Sequence, residues 1–120
     1  MRPWIVALAG LSLLAVAGPA KPAGADTLTG KALLALCEAP ESRAADRASC
    51  IGFMRGAIAM YELVGAENKE LAWFCPARNG DPLALRQLYV EWAHENPSDV
   101  GDTAIAAVRA ALADAFSCTE

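Results

Sequence analysis

The stretch S-C-I-G-F-M-R-G, Ser49–Gly56, decides the fold class. Cys50, Ile51 and Met54, continued by Ile58 and Tyr61, recur at steps of three and four, the spacing that gathers side chains on one face of a helix. The helix that carries them reads from about Arg43 to Val64, with Ser42 as its cap and Gly65 as its terminating glycine. Two glycines stand inside it, each about 1 kcal/mol less favourable there than alanine. Gly52 and Gly56 are four apart and so share a face, and the expectation is a shallow groove into which a second helix backbone packs closely.

Outward from this helix the same period recurs. Upstream, Leu28, Leu33 and Leu36 lean to one side of a helix from about Leu28 to Cys37, capped by Thr27 or Thr29 and ended by Ala39-Pro40. Downstream the periodicity weakens between Ala66 and Asp81. There Glu67–Glu70 read as solvated, Leu71, Trp73 and Phe74 return the chain to the body, and Asn79-Gly80 marks a turn. Asp81 followed by Pro82 is a favoured helix opening. The helix it starts turns Leu85, Leu88, Tyr89 and Trp92 inward and stops at Asn96-Pro97. A fourth helix from about Thr103 to Phe116 presents Ile105, Val108, Leu112 and Phe116, with Cys118 just beyond. Nothing alternates with period two over a strand's length, so the fold class is all-α, a compact bundle of about four helices.

Residues 1–25 have the pattern of a cleaved signal peptide: Arg2, an apolar run from Trp4 to Ala17, and the small-x-small sequence Ala23-Gly24-Ala25 before Asp26. The run is shorter than the ~20 residues a spanning helix needs, which disfavours an uncleaved anchor. Residues 26–120 then form the domain. Without Arg2 and Lys21 it holds eight Lys and Arg against fourteen Asp and Glu, a formal charge of −6. With no basic cluster, neither nucleic acid nor an anionic membrane is an expected partner; a basic protein surface is. Glu91 and Glu95, one helical turn apart, form an acidic ridge suited to such a surface.

Four cysteines remain: Cys37, Cys50, Cys75 and Cys118. An even count in a small exported chain points to two disulfides. Zinc is disfavoured because no C-x-x-C occurs and the one histidine, His94, is remote from every cysteine in sequence. His94 itself reads as a surface residue near a helix C-terminus. Three pairings are open to sequence. The favoured one joins Cys37 to Cys50 across the turn between the first two helices, leaving Cys75 for Cys118; crossed pairings such as Cys37 with Cys118 stay open. No cofactor is expected, and the usual nucleophile and acid–base sets of an enzyme are missing.

The ordered pieces T-G-K-A-L-L-A-L-C-E (Thr29–Glu38), S-C-I-G-F-M-R-G, F-C-P (Phe74–Pro76), L-R-Q-L-Y-V-E-W-A-H-E-N-P (Leu85–Pro97) and A-L-A-D-A-F-S-C (Ala111–Cys118) span nearly the whole domain. In that order they resemble the Rap/Tai-type immunity proteins of bacterial type VI secretion. The sequence departs from the family pattern after Cys75-Pro76, where it reads A-R-N-G-D-P in place of an apolar, glycine-valine-like turn. The resemblance implies a small periplasmic helical protein, often a homodimer. It implies that this protein is no enzyme but binds and blocks a secreted peptidoglycan amidase effector.

Such an inhibitor must fill a groove holding a catalytic thiol and histidine, which a rigidly held polar loop does with little ordering cost. Glu95, Asn96, Pro97, Ser98 and Asp99 make one candidate contact, set between two helices. Arg78, Asn79 and Asp81, next to Cys75, make a second. Both segments also have ordinary duties as helix stop, turn and cap. The alternative function on the same composition is a small periplasmic chaperone of the acid-stress type, which would lose structure as its carboxylates protonate at low pH.

Overall fold

A computed structural model describes residue 18 and residues 27–75 and 81–118. Four α-helices form in it: α1 (Gly30–Cys37), α2 (Ala44–Glu67), α3 (Pro82–Glu95) and α4 (Ala104–Ala115), with single 3₁₀ turns at Glu41–Arg43 and Lys69–Leu71. No strand occurs among the described residues, only an isolated antiparallel bridge between Thr29 and Thr103. The signal-like segment 1–25, Gly18 apart, and Arg78 and Asn79 lie outside the described residues.

Three helices start where cap chemistry dictates. The hydroxyl of Thr29 accepts from the Ala32 amide (3.1 Å), Asp81 Oδ1 from Leu83 (3.1 Å) and the hydroxyl of Thr103 from Ala106 (3.3 Å), each satisfying an amide that lacks a partner within its helix. The start of α2 differs from expectation. Ser42 sits inside the 3₁₀ turn, and Arg43 takes the cap position without a side-chain bond. Its end differs too: α2 runs past Gly65 to Glu67, and Asn68 closes it. Gly65 serves instead as a point of close approach, because a Cβ there would lie 3.2 Å from both Cα and Cβ of Ala72, where the chain folds back over the helix.

All four helices feed one core. Leu33, Cys37, Cys50, Met54, Tyr89, Val108 and Leu112 are its largest fully buried side chains, and Leu36, Ile58, Leu88, Ile105 and Phe116 pack against it half-buried. Tyr89 donates its hydroxyl to the Gly30 carbonyl at 2.7 Å, and Tyr61 donates to the Ile105 carbonyl at 2.8 Å, so both buried phenols are satisfied. Burial pushes the Tyr89 phenol up to about 12, which keeps it a neutral donor. Burial also raises Tyr61, opposed by the nearby Arg109 charge. Trp73, half-exposed, stands edge-on to Tyr61 at 5.4 Å and lies under the Arg109 guanidinium, 5.1 Å from its ring centre.

The two disulfides are Cys37–Cys50 and Cys75–Cys118, with Cα atoms 5.1 and 5.0 Å apart. The first is buried between α1 and α2. The second is exposed and fastens the segment after α2 to the chain beyond α4, where the Cys75 amide also donates to the Phe116 carbonyl (2.9 Å). Among the described residues no helix is long and apolar enough to cross a membrane.

The expected helix–helix groove at Gly52 and Gly56 is absent. Both glycines are exposed on the outer face of α2, and a Cβ added to either would meet nothing within 4 Å. Spacing correctly put them on one face, but that face points away from α1, α3 and α4. Neither glycine is therefore needed for packing, and each should act as a simple helix defect. We expect Gly52→Ala and Gly56→Ala each to stabilise the protein by about 0.5–1 kcal/mol, read as a rise of several degrees in the thermal midpoint.

Candidate functional site

The segment between α3 and α4 is built as a locked base under an exposed tip. At the end of α3, Asn96 caps twice over: its amide and its side-chain Nδ2 both donate to the Trp92 carbonyl at 2.9 Å. A turn follows, closed by the Asp99 amide on the Asn96 carbonyl (3.0 Å). Val100 then plugs into the core. The chain next runs alongside the start of α1, where three backbone bonds join the two: Lys31 N–H to the Val100 carbonyl (2.7 Å), Gly30 N–H to Asp102 (2.8 Å) and Ala104 N–H to Leu28 (2.7 Å).

The first two of these bonds use amides of the first turn of α1, which have no acceptor within their own helix. The loop thus supplies the acceptors that α1 lacks, and α1 fixes the loop. Gly30 makes this approach feasible, since a Cβ there would lie 2.8 Å from the Val100 oxygen and 2.9 Å from the Ala107 Cβ.

Above the base, Glu95, Pro97, Ser98 and Asp99 are exposed while Asn96 is partly covered. The five consecutive residues of the first candidate contact thus form a largely exposed polar stretch from the end of α3 into the loop before α4. Glu95, Asp99 and Asp102 make it anionic, and none of them forms an ion pair among the described residues. Of the second candidate, Asp81 is described, and it is occupied as the exposed cap of α3.

Sequence reasoning missed the polar contacts between helices. Arg86 Nε reaches the Cys37 carbonyl at 2.5 Å, Trp92 Nε1 donates to Asp114 Oδ2 at 2.9 Å, and His94 pairs with Glu38. Each joins residues far apart in the chain, which no local pattern announces. All four cysteines are oxidised, and among the described residues no three of His, Cys, Asp and Glu converge to hold a metal ion. A cavity of about 420 Å³ beside the Cys75–Cys118 bridge has Tyr61, Ala72 and Phe74 among its lining residues and presents mostly apolar surface.

A family model described as Rap1a immunity proteins matches residues 29–118, from the cap of α1 to the last cysteine. No curated protein and no solved structure matches the chain significantly.

Proposed function

Because this chain belongs to the Rap1a immunity proteins, we propose that it binds and inhibits a peptidoglycan amidase delivered by type VI secretion and so protects its own cell wall. The protein acts in the periplasm, exported by residues 1–25, which are removed before Asp26. An exported site suits a chain whose four cysteines are all paired.

The observation that carries this reading is the exposed Glu95–Asp99 stretch on its hydrogen-bonded base. An inhibitor that enters a catalytic cleft loses less free energy to ordering when its inserting loop is already fixed in the free protein. Here two helices, the Asn96 cap and the α1 backbone fix it. Pro97 restricts the tip further, and Ser98 and Asp99 present polar groups to a cleft. Arg78, Asn79 and Asp81 serve as a second, flanking contact. Family membership favours this reading over the acid-stress chaperone.

The test is protection. Cells that export a type VI peptidoglycan amidase to the periplasm lyse, and co-export of this protein should prevent lysis. Asp99→Arg, at an exposed site, should leave the fold intact yet weaken the complex about 30-fold or more, the scale of a hot-spot residue at an interface. Lysis unaffected by the wild-type protein, across the amidases that its own and neighbouring cells deliver, would refute the proposal.

A further inference from the structure

We infer that the Cys75–Cys118 bridge is a redox switch: an external dithiol reduces it in the folded protein, ahead of Cys37–Cys50, and its state sets how stable the domain is. The inference is independent of the function proposed above.

The two bridges differ first in access. Cys37 and Cys50 are 0% exposed, in the core between α1 and α2, so a thiolate reaches them only if the helices part. Cys75 and Cys118 are exposed, and both line the apolar cavity of about 420 Å³, which has room for a small dithiol. Exchange requires the attacking thiolate to reach a sulfur, so access decides which bridge reacts first.

They differ also in reach. The buried bridge spans a sequence separation of 13 and the exposed one 43, and the longer loop restricts the unfolded chain more. The bridge open to reagents is thus the one whose loss relaxes the unfolded chain further. Few other contacts tie the segment that carries it. The Cys75 amide donates to the Phe116 carbonyl at 2.9 Å, and Trp73 and Phe74 both rest edge-on against one residue of α2, Tyr61, at 5.4 and 5.9 Å.

The step is thiol–disulfide exchange. A thiolate of the dithiol bonds to one sulfur of the bridge, the S–S bond breaks, and the other cysteine leaves as a thiolate that takes a proton. The second thiol of the reagent, deprotonated, then attacks the mixed disulfide and releases the first cysteine in the same way. Two electrons and two protons pass to Cys75 and Cys118, and the reagent leaves as its own disulfide.

Dithiothreitol is the probe, with thiols trapped by iodoacetamide and located by peptide mass spectrometry. The first thiols to appear should be Cys75 and Cys118, at a rate proportional to dithiothreitol and unchanged by urea below the unfolding transition, as for attack on the native state. The variant Cys75→Ser/Cys118→Ser should melt about 15 °C or more below the oxidised wild-type protein. A variant already unfolded at room temperature agrees with that loss, and the wild-type kinetics then decide whether the bridge reacts in the folded state. First thiols at Cys37 and Cys50, all four appearing together from the outset, a rate that climbs with urea, or an unmoved midpoint in the variant would each overturn the inference.

Discussion

The variant Cys37→Ala/Cys50→Ala is expected to lose about 4–5 kcal/mol of stability. Two contributions add. Closing a loop over a sequence separation of 13 restricts the unfolded chain, a contribution of about 3 kcal/mol in the entropic account. The sulfurs also fill space: both cysteines are fully buried in the core with Leu33, Met54 and Leu112, so alanine leaves a cavity worth a further 1–2 kcal/mol or so. For a domain of this size that loss takes most of a typical folding free energy, and the variant should be largely unfolded at 37 °C. Urea unfolding followed by circular dichroism checks it. A loss near 1 kcal/mol would show that the helices hold together without the bridge.

Gly30→Ala is expected to destabilise by about 2–3 kcal/mol, the reverse of the gain expected at Gly52 and Gly56. Helix propensity favours the same substitution at all three sites, so packing decides the sign. A Cβ on Gly30 would meet the Val100 oxygen at 2.8 Å, the Ala107 Cβ at 2.9 Å and the Tyr89 hydroxyl at 3.1 Å. None of these is the free end of a flexible side chain: one is backbone, one is a buried Cβ on α4, and one is a buried phenol bonded to Gly30 itself. Relief requires the start of α1 to move off the α3–α4 loop, breaking the bonds that fix the exposed stretch. The thermal midpoint should fall by about 10–20 °C, and under the proposed function inhibition of an amidase should weaken even where the variant stays folded. Denaturation midpoints of the three alanine variants, measured side by side, test the contrast.

These two sites also show how far the sequence could be read. The inward faces of the helices were legible, since steps of three and four leave few choices for Leu33, Met54, Tyr89 and Val108. So was the cap at Asp81, and Thr29 was one of two candidates for the first helix, whereas Thr103, read as the first residue of the fourth helix, is its cap. The cysteine pairing was left open among three by the sequence; the structure has the favoured one, in which the short turn between α1 and α2 brings Cys37 to Cys50. Periodicity, however, says which residues share a face and not what that face meets. Gly52 and Gly56 form the conspicuous pair, yet Gly30 and Gly65 are the glycines that another segment approaches. The exposed stretch was legible as a segment. Its anchoring to α1 was not, because those bonds link residues about seventy apart through backbone atoms, which carry no sequence signature. Glu91 and Glu95 are visible in the sequence as a ridge, whereas the Trp92–Asp114 bond and the contacts of Arg86, His94 and Arg109 depend on how the helices pack.

That the exposed α3–α4 stretch is the inhibiting surface can be tested by a photocrosslinking residue placed at Ser98 and, separately, at Gly52 on the outer face of α2. With an amidase that the protein inhibits, Ser98 should crosslink to residues lining the catalytic cleft of the enzyme, and Gly52 should give no adduct there. Crosslinking into the cleft from Gly52 and not from Ser98 would contradict the account.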